Sequence, residues 1–422
     1  MDELSFFKGR RVFLTGHTGF KGSWLTLWLL RHGALVTGFS LDVPTSPSLF
    51  ETLDLARDIQ HITGDIRNAE HLSNVVSNLQ PEIVFHLAAQ PLVRRSFRHP
   101  KETFDVNVGG TINLLEAVRQ TKSVRTIICA TSDKCYDRRG WDGGYRENDP
   151  LGGHDPYSAS KAAAEMAAAA YRESFFRVSQ TLLSGGNLGR QECLPHPPVG
   201  LATVRAGNVI GGGDWALDRL VPDCVRALVA EEPILIRHPQ SIRPWQHVLE
   251  PLAGYLRLTR RLWDEPEKYS GPWNFGPAAE SHVPVAKLVQ EIIQLWGQGQ
   301  WIATPGRSEP REANCLRLLS DKAMSLIAWR PQWNLRTAIR QTIDWYRAFY
   351  GHEGATEPRA LCERQIGQYE ALGGRANSSQ VIETELREGE ASAELIASTA
   401  RREPRPPEAT RALFLGARPE VS

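Results

Sequence analysis

Short apolar runs alternate with stretches of helical spacing through the first half of the chain. "RVFLT" (11–15) is one such run, "WLTLWLLRHG" (24–33) spaces its apolar residues as a helix does and closes on Gly33, and "ALVTGF" (34–39) is a second run. This predicts a β-α-β unit. The same rhythm predicts a helix at "NAEHLSNVVSNL" (68–79), a strand at "EIVFHLA" (82–88), and a helix ending near "NLLEAVRQT" (113–121). It continues with a strand at "VRTIICAT" (124–131), a helix at "SASKAAAEMAAAAYRESF" (158–175) and a strand at "GLATVRAG" (200–207). Strands alternating with helices imply right-handed crossovers and a parallel sheet covered on both faces. The expected fold class is α/β, a doubly wound (Rossmann) sheet.

After about residue 208 the rhythm breaks into Gly-rich loops, isolated strands such as "PILI" (233–236), and helices near 250–263, 284–296 and 335–350. No long polar linker separates this half from the first, so residues 208–371 read as a smaller lobe that partly returns to the main sheet of residues 1–207. Segment 177–200 has no clear period and reads as a loop insertion. Residues 372–422 are polar and proline-containing, with one amphipathic helical stretch at 381–400, and read as a largely disordered tail.

Composition narrows the classes. With 41% hydrophobic and 23% charged residues the chain reads as a globular enzyme, and a formal charge of +1 provides no global field to attract nucleic acid. No run approaches the roughly 18 apolar residues of a membrane span, and the acidic start "MDELSFF" is unlike a secretory signal, so a cytoplasmic location is expected. Six cysteines without a C-x-x-C pair argue against a zinc or disulfide framework and predict free thiols.

"FLTGHTGFKGSWL" sets Gly16, Gly19 and Gly22 between the first strand and the first helix. Small residues there permit a tight turn and close approach of backbone N–H groups to a pyrophosphate, while the helix N-terminus favours the anion. A purely structural turn is the alternative. Asp42, two positions beyond the usual acidic site, which Ser40 occupies, can accept from ribose hydroxyls, and no Arg lies nearby to pair a 2′-phosphate. NAD is therefore expected over NADP. Asp65 in "TGDIRN" either accepts from the adenine amino group or caps the helix from Asn68.

"ATSDKCYD" places Ser132, Asp133 and Lys134 in successive positions where a strand ends, and "PYSASK" puts Tyr157 and Lys161 four apart on one helix face. A lysine ammonium near a phenol favours phenolate, which would make Tyr157 a base for an alcohol near neutral pH. Neighbouring Asp133 and Lys134 ordinarily settle as carboxylate and ammonium, a surface salt bridge at a strand end. Burial of the pair would favour its neutral form instead.

With the glycine turn, "FHLAAQ", "VNVGGT", Ser132, Tyr157 with Lys161, and "WNFGP", residues 6–370 resemble the extended short-chain dehydrogenase/reductases. "TSDKCYD", "GYRENDPLGGHDPYSASK", "TVRAGNVIGGGDWALDRLVPD" and "RPWQHVLEPLAGYL" are similar, more narrowly, to the CDP-glucose 4,6-dehydratases. Lys134 points to that branch, because related nucleotide-sugar dehydratases carry Glu there. The resemblance implies NAD-dependent dehydration of CDP-D-glucose to CDP-4-dehydro-6-deoxy-D-glucose and water, an entry step to 3,6-dideoxyhexoses of bacterial surface polysaccharides. It implies that Tyr157 takes the 4-hydroxyl proton with Ser132 and Lys161 fixing the geometry. Lys134 then abstracts the C5 proton and Asp133 protonates the departing 6-hydroxyl.

The same resemblance implies that Phe20, Ile66, Leu87, Ala88, Ala89 and Asn107 join Gly16, Gly19, Gly22, Ser40, Asp42, Asp65, Tyr157 and Lys161 at the cofactor. It also implies that Asn208, Arg219 and Arg243 line the nucleotide-sugar site, and that the protein is a homodimer or homotetramer. Asn107 has a loop-capping alternative, and the other three could be ordinary surface or loop residues. Trp245 reads as core packing ahead of a stacking platform for cytosine. "REAN" (311–314) replaces the usual His-Glu-Ala of the family. A nucleotide-sugar 4-epimerase would share NAD, Ser132 and Tyr157 but has no use for Asp133 and Lys134; a catalytically silent NAD-binding protein would have no use for the triad.

Overall fold

Alternation within the strands divides the core. Val12 and Leu14 join Val36, Ile83, Phe85, Ile128, Ala202 and Val204 in one apolar cluster, whereas the intervening Phe13 joins Phe39, Val84, Ile127, Cys129 and Leu201 in a second. Successive residues of a strand point to opposite faces, so a run that is apolar throughout feeds a core on each side of the sheet. Each buried Val, Leu or Phe contributes about 1.5–3 kcal/mol, which fixes the register.

The computed structural model describes residues 3–137, 143–176, 198–304, 316–351 and 357–373. Within them the strands are β1 (Arg11–Thr15), β2 (Leu35–Ser40), β3 (Gln60–Thr63), β4 (Ile83–His86), β5 (Thr126–Ala130) and β6 (Gly200–Ala206). They continue with β7 (Asn208–Ile210), β8 (Ile234–Ile236), β9 (Ile242–His247), β10 (Gly271–Phe275), β11 (His282–Pro284) and β12 (Trp301–Ala303). Seven form a parallel sheet in the order β10-β6-β5-β4-β1-β2-β3. The order reverses at β1, where the chain leaves β3 and crosses to β4. Ligands of doubly wound folds bind beyond the carboxyl ends of the strands at such a reversal.

In the second half, β11, β9 and β7 make a three-stranded sheet and β12 with β8 a two-stranded one, while β10 pairs with β6 in the main sheet. Residues 1–369 form one compact unit. Of the second unit, Glu370–Ser422, the described residues 370–373 are helical. A helix over 358–369 is not predicted by the hydrophobic pattern; Leu361, Cys362, Gln365, Ile366 and Tyr369 are its buried positions, a helical face broken in the sequence by a polar Gln365 and charged neighbours. The helix Phe20–Arg31 begins four residues before its apolar run, and Pro156–Tyr171 begins two residues before the predicted start. There Asp155 caps the helix by accepting from the Ser158 N–H at 2.9 Å, and Pro156 fits the first turn.

Most of the 177–200 insertion, residues 311–314, Cys193, Cys315, the 381–400 stretch and the tail from 374 lie outside the described residues. Cys129, Cys135, Cys224 and Cys362 are free and buried. Among the described residues no helix is long and apolar enough to cross a membrane.

Candidate active site

The turn after β1 is built for close approach. Gly16 has φ +79°, its N–H donates to the Phe39 carbonyl at 2.9 Å, and a Cβ on it would lie 2.5 Å from the Ala88 nitrogen. A Cβ on Gly22 would lie 2.1 Å from the Gly16 carbonyl oxygen. Both positions therefore exclude any side chain. Gly19 caps the helix without a side chain, so no capping group claims the first-turn N–H groups and an anion can. This cradle, with Leu87 and Ala88 pressed against it, fits the pyrophosphate of a dinucleotide.

Ser40 ends β2 and is buried, its Oγ accepting from the Thr18 N–H at 3.5 Å, while Asp42 is exposed. Asp65 is gripped by Arg67, whose Nη2 donates to Oδ2 at 2.6 Å, and this bond holds the carboxyl below its ordinary range. It does not cap the following helix; Asn68 does, accepting from the His71 N–H at 3.0 Å. Ile66 is buried against Gly110. Asn107 uses both amide hydrogens internally, donating to the Gln90 carbonyl (3.2 Å) and Ser160 Oγ (2.9 Å), and so ties the loop after β4 to the helix that carries Tyr157 and Lys161.

β5 ends at Ala130, and the extended Ser132 then caps a short 3-10 turn, Asp133–Cys135, accepting from the Lys134 N–H at 3.2 Å. Successive side chains of such a turn diverge by about 120°. Among the described residues Asp133 and Lys134 form no ion pair with each other; Ser132 Oγ donates to Asp133 Oδ1 at 2.9 Å instead. Burial raises the Asp133 carboxyl above its ordinary range, against the pull of Lys134, the Ser132 bond, Lys21 and Arg243. The surface salt bridge is thus replaced by a buried carboxyl that holds its proton more tightly than an exposed one.

Tyr157 and Lys161 are buried, but the phenol is not lowered as expected: burial pushes it up to about 12, with the Ser132 hydrogen bond and the Arg219 charge opposing. Lys161 does not offset this, because its Nζ donates to the Ala130 carbonyl at 3.3 Å and burial lowers it to about 8.

Two further residues reach this centre. Lys21, in the first turn of the helix after the glycine cradle, is lowered by burial to about 8 and feels Arg219, Asp133, Lys161 and Asp214. Its sequence signal is a cation in the first turn of an otherwise apolar helix, where the helix dipole disfavours it. Gly207 is the other: a Cβ there would lie 3.2 Å from Asp133 Oδ2 and 3.1 Å from Pro244. A lone glycine ending a strand gives no such warning.

Of the expected substrate residues, Arg219 has Nη1 2.9 Å from Asp214 Oδ2 and acts on Tyr157, and Arg243 acts on Asp133. Asn208 opens β7 beside Trp245 of β9. Trp245 is buried in the core and is no stacking platform.

The GDP-mannose 4,6 dehydratase family model matches residues 13–185. The CDP-glucose 4,6-dehydratase of Salmonella typhimurium is 47% identical over 370 residues, covering 87% of this chain and 98% of that protein. The chain belongs to the CDP-glucose 4,6-dehydratase family. DesIV, the dTDP-glucose 4,6-dehydratase of Streptomyces venezuelae solved with NAD bound, shares the fold of this CDP-glucose 4,6-dehydratase family member at a TM-score of 0.67. Its identity is 20%, with 81% of this chain and 98% of that one covered. MoeE5, solved with UDP-glucuronic acid and NAD, is 25% identical at a TM-score of 0.64, covering 80% and 99%.

Proposed function

We propose that the protein dehydrates CDP-D-glucose to CDP-4-dehydro-6-deoxy-D-glucose and water, holding NAD as a recycled cofactor. The observation that carries the reading is the row in which buried Asp133 holds its proton more tightly than usual beside half-buried Lys134, with no ion pair between the two, next to Ser132 and Tyr157. An elimination needs such an acid and base together, and an epimerase does not.

Residues 1–207 hold the dinucleotide, with Gly16, Gly19, Phe20 and Gly22 at the pyrophosphate, Ser40 and Asp42 at the ribose, and Asp65 with Ile66 at the adenine. Leu87, Ala88, Ala89, Asn107 and Lys161 flank the nicotinamide half. NAD, when bound, would supply a cationic ring that favours the phenolate, an acceptor for the C4 hydride and a hydride donor for C6. Tyr157 takes the 4-hydroxyl proton, helped by Ser132 and Arg219, which already favour its ionised form. The resulting C4 ketone acidifies the C5 proton, which Lys134 removes while Asp133 protonates the leaving 6-hydroxyl, and a proton is restored at C5 as C6 receives the hydride. Residues 208–371 hold the nucleotide-sugar, with Arg219 and Arg243 suited to a diphosphate and Asn208 beside them.

The protein works in the cytoplasm as a homodimer or homotetramer, supplying 3,6-dideoxyhexose synthesis. Exposed Phe104, Ile112 and Met166 on the mutually packed segments Pro100–Arg119 and Pro156–Tyr171 supply an apolar surface for a second copy. The test is a panel of nucleotide-glucoses deuterated at C4. CDP-glucose should give the 4-keto product with deuterium at C6; product without that transfer, or activity confined to UDP- or dTDP-glucose, overturns the reading.

A further inference from the structure

One layer beneath the row lies an ion pair that the chemistry above does not use. Glu165 and Arg205 are 4% and 1% exposed. Arg205 donates to both Glu165 oxygens, Nε to Oε1 at 2.9 Å and Nη2 to Oε2 at 2.8 Å. Two hydroxyls complete the carboxylate: Thr131 Oγ1 at 2.5 Å and Thr203 Oγ1 at 2.6 Å. On its far side Arg205 donates from Nη1 to the Tyr136 hydroxyl at 2.6 Å, and its guanidinium lies 4.7 Å over that ring. Tyr136 in turn donates to Asn274 Oδ1 of β10 at 2.8 Å.

The placement is informative. Thr131 immediately precedes Ser132, and Tyr136 follows Lys134 by two residues, so both flanks of the row hang on this one pair. Glu165 lies one turn beyond Lys161 on the helix that also carries Tyr157. A single buried junction therefore joins the row to that helix, to β6 through Thr203 and Arg205, and to β10 through Asn274. Stability alone is a poor reason for such a pair, since well-packed apolar residues often serve as well.

We infer that Glu165 and Arg205 are positioning residues that set the acid-base row against the Tyr157–Lys161 helix. Their loss falls harder on elimination than on hydride transfer. Tyr157 has independent anchors in the Asp155 cap and in Ser96, whose Oγ accepts its N–H at 3.2 Å. The inference rests on the dehydratase reading above.

Matched variants separate positioning from mere packing. Thr131→Val and Thr203→Val each delete one hydroxyl bond to the same carboxylate at nearly constant volume, but only Thr131 adjoins the row. Thr131→Val and Tyr136→Phe should lower kcat about tenfold with KM within about twofold, because small misplacements at a reacting centre are costly. C5 exchange should fall more than C4 hydride transfer in both. Thr203→Val should stay within about threefold of wild type, with a melting temperature matching that of Thr131→Val. An active wild type whose Thr131 and Thr203 variants lose kcat alike, or not at all, overturns the positioning role alone. A wild type with no C4-to-C6 deuterium transfer defeats the dehydratase reading, and this inference with it.

Discussion

Glu165 and Arg205 are buried as deeply as Asp133 and Lys161, yet the charged forms are favoured in the first two and disfavoured in the second two. Burial pushes the Glu165 carboxyl up, but Arg205 and two hydroxyls outweigh it and the net shift is downward. Burial raises Asp133 although Lys134, the Ser132 hydroxyl, Lys21 and Arg243 oppose it without an ion pair to Lys134; burial lowers Lys161 to about 8 although Cys129, Glu165 and Cys135 oppose it, and its Nζ donates to the Ala130 carbonyl. Depth of burial is therefore not what makes a group available for proton transfer. The deciding factor is whether a counter-charge with matched geometry accompanies it. Glu250 is an intermediate case: it accepts from the Gln332 and Trp333 N–H groups and the Tyr369 hydroxyl, but no cation contributes, and burial raises it to about 7.

The contrast can be broken at either end. Tyr157→Phe, which removes the phenol from the poorly compensated set, should lower turnover by about 10³-fold or more with little change in melting temperature. A drop below about tenfold would show that another group takes the 4-hydroxyl proton. Arg205→Met, which strips the compensated set of its cation, should cost about 3–5 kcal/mol in denaturant unfolding. A cost below about 1 kcal/mol would mean that the hydroxyls alone satisfy Glu165.

Glu250 sharpens the comparison through pH. Its folded-state value, raised from 4.5 to about 7, means that the folded protein holds a proton the unfolded chain releases, so stability falls as pH rises between those values. The loss should be on the order of 3 kcal/mol. Glu250→Gln should flatten that slope in a pH series of unfolding curves, and an unchanged slope would place the titration elsewhere. The smallest effect is expected for Asp133→Asn, which exchanges an uncompensated buried carboxyl for a neutral amide of similar shape. Its stability should stay within about 1 kcal/mol of wild type, although dehydration is lost; a large loss would reveal a structural ion at that site.

Much of this was legible in the sequence because it rests on local rules. The period-2 and helical patterns predict the parallel sheet, Gly16 and Gly22 predict a cradle that tolerates no side chain, and Ser132 to Lys134 at a strand end predict the row. What was not legible depends on side-chain geometry that no residue pattern carries. Asp65 as an isolated letter suits adenine or a helix cap, and only the fold's local geometry shows that Arg67 grips it. Lys21 is brought to Asp133 by the sheet order, and a side chain at Gly207 would crowd a carboxylate 74 positions earlier in the chain. The helix over 358–369 hides because Leu361, Cys362, Ile366 and Tyr369 are dispersed among polar residues. The Tyr157 phenol departs from expectation because burial raises it, while its lysine donates to a backbone carbonyl.

The central claim is a division of labour within three consecutive residues, with Ser132 serving oxidation and Asp133 with Lys134 serving elimination. Lys134→Ala tests it directly when incubated with CDP-glucose in deuterated water, following NADH formation and deuterium uptake at C5 together. Retained hydride transfer with C5 exchange reduced at least about a hundredfold is the expected result. Undiminished C5 exchange in that variant would contradict the assignment.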